Sequence, residues 1–170
     1  MDVGVEGGEL FSLTPSMTSQ LALSAVMVVV AVVIHGAGLF SLGNMLTRER
    51  EVEVQDGENT TERRYRFEGY QPLSWRGGLV VVGVVLAIFA LHFAEIWAFA
   101  FLYSAIDAVP DLDTAIYFSS IAYATLGFTD NYIDPSWRMI AASEGIIGVL
   151  LLGWSTAFFV RVLSQLEGRG

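Results

Sequence analysis

Apolar positions in this chain gather into three long blocks, not into the short alternating or one-sided runs of a soluble domain. The first, 21–46, contains no Asp, Glu, Lys or Arg; its internal polar residues are Ser24, His35, Ser41 and Asn44. The second, 79–103, holds His92 and Glu95, and the third, 139–163, holds Glu144 near its start. A helix rises about 1.5 Å per residue and a bilayer core is about 30 Å thick, so about 20 apolar residues make a crossing. Each block therefore predicts one membrane-spanning helix. Glu95 is the one obstacle in the second. Fifteen residues of that block are Leu, Ile, Val or Phe. At roughly −0.45 kcal/mol each they contribute about −7 kcal/mol, against about +3 kcal/mol for one mid-span carboxylate. The segment still inserts, with Glu95 turned to protein or water rather than lipid.

The stretch 104–138 between the second and third blocks is not a simple connection. Its middle, from Asp113 to Ala124, reads as a helix with Asp113 as N-cap and Asp111 beside it to complement the helix dipole. A dozen residues make roughly 18 Å of helix, too little to cross. Thr125 to Asp130 include Gly127 and are poor helix formers, and five extended residues reach about 17 Å. A helix that dips halfway in, followed by a strand that climbs out, is a re-entrant loop. Exposed backbone at that depth is tolerated only where protein buries it or where it lines a water-filled path.

Composition agrees with the pattern. Of 170 residues, 54% are hydrophobic and 16% charged, against about 45–50% and about 25% in soluble domains. An ordinary soluble enzyme and a disordered chain are both excluded, and no enzymatic activity is expected. The absence of cysteine removes disulfides, thiolate metal sites and cysteine nucleophiles. A net charge of −9 argues against a nucleic-acid partner. There is no Lys. Arg48, Arg50, Arg63, Arg64, Arg66 and Arg76 fall in 47–78, and Arg161 at the end of the third block and Arg169 beyond it lie on the same side, leaving Arg138 alone on the other. The positive-inside rule makes the Arg-rich side cytoplasmic. The tail 1–20 and the segment 104–138 are then outside, and the tail 164–170 inside. The acidic N-terminus lacks the basic start of a secretory signal. In the loop 47–78, EVEVQ and RYRFEGY alternate around DGEN, which fits either a small hairpin or a solvated linker. Trp75 and Arg76 fit an interfacial anchor.

Thr125-Leu126-Gly127-Phe128-Thr129-Asp130 resembles the T-V-G-Y-G-D selectivity filter of potassium channels. The preceding Asp113-Thr-Ala-Ile-Tyr-Phe-Ser-Ser resembles the pore helix. The third block, with Gly148 near its middle, resembles the inner helix and its hinge glycine. From about Leu79 to Leu163 the order is outer helix, pore loop, inner helix, similar to small bacterial channel-like membrane proteins. His92, Glu95 and Ala98 to Tyr103 match the H…E…WA…Y pattern of their outer helices. Trp137-Arg138, Glu144-Gly145, Gly148 and Gly153 to Ala157 match the W-R…E-G…G…G-W-S-T-A run after their filters. The resemblance implies an all-α integral membrane protein of three spans plus a pore helix and filter. It implies a homotetramer in a bacterial plasma membrane, with lipids and permeant cations as its other partners. Carbonyls of Thr125 to Phe128 and the Thr125 hydroxyl would replace an ion's water shell. No cofactor is expected beyond the permeant ion, potassium or another monovalent cation. Asp107, Asp111, Asp113, Asp130 and Asp134 would concentrate cations at the outer mouth. Thr129 stands where the family has its second filter glycine, Phe128 where it has Tyr, and Ala124 where it often has Thr. These departures leave weakly selective conduction, or a non-conducting partner subunit, open.

Three further polar residues have more than one reading. Glu144 fits a filter-supporting bond, a proton-sensitive gate, or a cap for a neighbour's polar group. His92 and Glu95, one turn apart on one face, fit a polar patch between helices or a proton sensor. His35 and His92 both fall near the midplane, where two facing imidazoles either take hydrogen bonds or clamp a haem iron in an electron-transfer subunit.

Overall fold

The computed structural model describes residues 15–46, 75–127 and 132–166. Most of the N-terminal tail, most of the loop 47–78 with its candidate hairpin, and Phe128, Thr129 and Asp130 lie outside the described residues. The described elements are α1 (Pro15–Leu46), α2 (Trp75–Ala105), α3 (Leu112–Tyr123), a 3-10 turn (Pro135–Trp137) and α4 (Arg138–Leu166). Three helical stretches have the length and apolar character to cross a membrane. They are Met17–Leu46, Gly77–Ala105 and Pro135–Leu166.

The spans run longer than their apolar blocks. α1 begins at Pro15, six residues before the first block. A proline is pre-set for a helix start, because its fixed φ suits the first turn and its missing N–H would have no partner there. α2 likewise starts at Trp75. Helical backbone continues through interfacial residues that a hydropathy pattern counts as polar.

All-round apolarity, with only a narrow buried stripe, marks these helices as facing lipid or other protein on most sides. On α1 the buried residues are Gln20, Ser24, Met27, Ala31, His35 and Leu39, spaced three or four apart. Between them Val26, Val29, Val33 and Phe40 are exposed. On α4 the buried positions Ile140, Glu144, Ile147, Leu151 and Ser155 follow the same period.

The chain packs as two units: 1–31 with 96–149, and 32–95 with 150–170. In the first, Phe99, Tyr103, Ala115, Phe118, Ala122 and Ile140 are buried to 2% exposure or less. In the second, Val84, Val162 and Leu166 are the buried centre, covered by Leu42, Ile88, Phe158 and Phe159 among others.

Two glycines of α4 let α3 come close. A Cβ on Gly145 would lie 3.2 Å from the Ala122 carbonyl oxygen, and one on Gly148 would run into the Tyr123 carbonyl. Gly148, which by its sequence fits either a hinge or a small-residue face for close helix approach, makes close contact with the last turn of α3. Gly153 has nothing within 4 Å of its Cβ position. Gly148→Ala should therefore destabilise the fold by about 1–3 kcal/mol, the range for overpacking, while Gly153→Ala should not. Thermal unfolding of the two variants in the same detergent checks this.

Candidate functional site

The segment between α2 and α4 is built from two helix ends of the same design. α2 stops with Asp107 at φ 52. Asp107 N–H donates to the Ser104 carbonyl (3.3 Å) and Ala108 N–H to the Tyr103 carbonyl (2.9 Å). That pair of reversed bonds, with a left-handed residue between helix and loop, is a Schellman motif. α3 ends the same way. Thr125, at φ 55, donates to the Ala122 carbonyl, and Leu126 donates to the Ile121 carbonyl, both at 3.0 Å. Glycine usually fills such a position; here Asp and Thr do. Asp tolerates it, but for a β-branched Thr the left-handed region is unfavourable.

The start of α3 corrects the sequence reading. The N-cap is Asp111, not Asp113. Asp111 accepts from Thr114 N–H at 2.8 Å and from the Thr114 hydroxyl at 3.1 Å. Asp113 lies in the first helical turn, where its charge suits the dipole. Two residues of shift separate these candidates, and only the three-residue reach to Thr114 N–H selects one. The Thr114 bonds, chiefly that from its backbone N–H, hold the Asp111 carboxyl below its ordinary pKa. Asp134 is held low in the same way by Ser136 N–H, 2.7 Å away.

The loop is closed at its neck. Asp134 N–H donates to the Ala108 carbonyl at 2.9 Å, and Ala108, Val109 and Ile133 are buried around that bond. Between the tied ends run α3 and then Ala124 to Gly127, all four exposed. Gly127 has φ +88. Thr125 and Gly127 thus have positive φ and Leu126 between them does not. Asp107, Asp111, Asp113 and Asp134 are all exposed.

Behind α3 sits Glu144, fully buried on α4. Tyr103 of α2 donates to its Oε2 at 2.6 Å, and the Ser119 hydroxyl of α3 bonds its Oε1. Ser119 also reaches the Ile96 carbonyl at 2.9 Å. One carboxyl therefore joins three helices within this unit. Tyr103 packs edge-on against Phe118, with ring centres 5.3 Å apart. The sequence places Ser119 only in the pore-helix resemblance and Tyr103 only in the outer-helix pattern, with no bond between either and Glu144. A serine on the helix face that also carries Ala115, Phe118 and Ala122 is the signal for a buried acceptor opposite.

His35, His92 and Glu95 meet in the second unit. Glu95 Oε1 is 2.8 Å from His35 Nδ1, and Oε2 is 3.2 Å from His92 Nδ1. Ser155 Oγ of α4 is 3.2 Å from His35 Nε2 and 3.0 Å from His92 Nε2. The imidazole centres are 5.2 Å apart. Among the described residues these three side chains are a group with ligand atoms close enough for a metal, all within 4.8 Å. Each of those atoms already faces a partner in the cluster. A haem iron between the rings would need both Nε2 contacts or both Nδ1 contacts broken, and the rings moved apart to admit a porphyrin. The arrangement is a hydrogen-bonded cluster, and Ser155 is the member the sequence reading missed.

Two long spans with a short helix and a tied loop between them define a membrane protein of the outer helix, loop, inner helix type. Residues 79–165 match the family described as ion channel, and the chain belongs to that family. It is a membrane-embedded ion channel protein. No curated protein and no solved structure matches it.

Removing one hydrogen-bond donor from buried Glu144 should cost about 1–3 kcal/mol. Tyr103→Phe and Ser119→Ala are each expected to lower the unfolding midpoint in detergent, with Thr114→Ala on the exposed side as a milder comparison. For Asp111 and Asp134 the sign follows from their lowered values. The stability they confer is complete above the ordinary carboxylate pKa of about 3.9 and is lost as pH falls through their lower folded values. Amide hydrogen exchange at Thr114 and Ser136 should rise in that acid window. Asp111→Asn, whose amide oxygen still accepts, should flatten the dependence at Thr114 alone.

Proposed function

We propose that this chain is one subunit of a homotetrameric channel that conducts potassium through a re-entrant pore loop. The observation that carries this reading is the loop 108–134. It is tied at its neck by the Asp134–Ala108 bond and holds a helix of 12 residues. That helix is too short to cross, and bare backbone follows it. The alternation of φ sign over Thr125, Leu126 and Gly127 supports a strand that turns successive carbonyls toward one side. Phe128, Thr129 and Asp130 follow Gly127 in the sequence.

Assembly follows from solvation. Backbone at membrane depth needs partners or water, and the four residues from Ala124 to Gly127 are exposed in a single chain. Four copies around one axis enclose the strand and give a path for ions. The C-terminal end of α3, the partly negative end of its dipole, lies next to Thr125 and favours a cation. Exposed Asp107, Asp111, Asp113 and Asp134, with Asp130, would raise the cation concentration at the mouth. Glu144 holds α3 in place through Ser119. By the positive-inside rule we read the N-terminus as outside and the C-terminus as cytoplasmic, in a bacterial plasma membrane as the resemblance implies. Thr129, in place of a filter glycine, relaxes selectivity for potassium over sodium.

Purified protein in liposomes should pass K⁺, with the flux blocked by Ba²⁺. Gly127→Ala should abolish the flux. No atom of the chain lies within 4 Å of the added Cβ, so the cause would be conformational: left-handed φ costs a non-glycine residue roughly 1–2 kcal/mol. Thr129→Gly should shift the reversal potential under K⁺/Na⁺ gradients toward the K⁺ value. A tetramer that passes no ions would make the chain a non-conducting partner subunit, and full flux in Gly127→Ala would remove the assigned path.

A further inference from the structure

The cluster in the second unit includes a ring of four contacts among four side chains. Glu95 bridges the two Nδ1 atoms (2.8 and 3.2 Å), and Ser155 bridges the two Nε2 atoms (3.2 and 3.0 Å). All four contacts are at hydrogen-bond distance, so each needs one hydrogen between its atoms. Two neutral imidazoles supply one N–H each, the serine supplies one O–H, and a carboxylate supplies none. Three hydrogens serve four contacts. No choice of tautomer repairs this. If both rings point N–H at Glu95, two Nε2 lone pairs face a single hydroxyl hydrogen. If one ring turns its N–H to Ser155, its Nδ1 lone pair faces a carboxylate oxygen.

We propose that His35, His92, Glu95 and Ser155 form an intramembrane binding site for one additional proton. That proton completes the fourth bond and cancels the carboxylate charge, so the cluster is neutral. It has two resting places with the same bond count. In one, an imidazolium sits beside the Glu95 carboxylate, with Ser155 accepting from the charged ring and donating to the neutral one. In the other, Glu95 is a carboxylic acid between two neutral rings of opposite tautomer. Rotation of the Ser155 hydroxyl reverses the direction of the ring.

Charge and burial favour a proton over a metal ion. His35 and Glu95 are at 0% exposure and Ser155 at 5%. A divalent metal held by one carboxylate and two neutral rings would leave a net positive charge there, which is unfavourable inside a membrane. α1 contributes His35, α2 contributes His92 and Glu95, and α4 contributes Ser155, with the uncharged Trp154 ring 5.3 Å from His35. Arg161, further along α4, is exposed. The proton thus joins three helices, and its loss would leave one open contact and a buried negative charge.

The chain has two histidines, so every histidine signal belongs to this site. The test is solid-state NMR of the full chain in lipid bilayers at neutral pH, with ¹⁵N-labelled His and ¹³C-labelled Glu. The expected result is three protons over the two rings and Glu95, in either of the distributions above. Glu95→Gln keeps the shape but brings its own N–H. It should lose the third proton and show two neutral rings of opposite tautomer. Two neutral rings of the same tautomer beside an ionised Glu95 would overturn the proposal, as would an imidazolium that persists in Glu95→Gln. One transition-metal ion per chain, found by elemental mass spectrometry of the purified protein, would overturn it too.

Discussion

The structure depends on one constraint: inside lipid, a polar group finds its partner within the protein or does not belong there. The long helices meet it for their own backbone. The difficulty falls on the places where the chain stops being helical between Ala105 and Arg138. There each helix end folds its last carbonyls back onto the next two N–H groups, at Asp107 and Ala108 and again at Thr125 and Leu126. The start of α3 is closed by Asp111, and the return of the loop by the Asp134–Ala108 bond. Four local devices thus account for the termini that a short helix would otherwise expose. Beyond them, Ala124, Thr125 and Leu126 turn their N–H groups back onto α3, and the stretch Ala124 to Gly127 remains exposed.

The same constraint governs the two buried carboxyls, and they meet it differently. Glu144 lies against two hydroxyls, on Tyr103 and Ser119, and fixes α3 against α2 and α4 within one unit. Glu95 takes its bonds from imidazoles, whose hydrogens can move. A hydroxyl can only turn; an imidazole can accept or release a proton and change which nitrogen bears it. The Glu144 contacts are with groups that can only turn and the Glu95 contacts with groups that can also change tautomer, a division set by partner type rather than by depth.

The spans were legible because lipid selects for composition over about 20 residues at a time, a signal that survives any detail of packing. The α3 helix was legible from its length and its acidic start. Its N-cap was not, because Asp111 and Asp113 are equally good cap residues in sequence and differ only in which one reaches Thr114 N–H. The handedness of the loop was also hidden. Attention in the sequence fell on Thr129, which stands at a filter-glycine position and lies outside the described residues; the described left-handed threonine is Thr125. Its position follows from the helix ending at Tyr123, and helix ends are set by hydrogen bonds that composition does not encode. Ser119, Tyr103 and Ser155 were missed for a related reason. Each is an ordinary residue in its own helix and gains meaning only from a carboxyl or imidazole on another.

Thr125 is where these strands of argument meet. A glycine there would relieve the left-handed φ, yet it would remove the hydroxyl and loosen the chain at the junction between α3 and the exposed backbone. The Schellman bonds on either side fix Thr125 N–H and Leu126 N–H on α3, so the conformation is imposed from the helix and not chosen by the residue. The close approach of Tyr123 and Ala122 to Gly148 and Gly145 anchors that helix end in turn. The direction in which Leu126 and Gly127 leave α3 is therefore determined by contacts made behind them. A small side chain on Gly148 would act on the exposed backbone through this chain of contacts, without touching it.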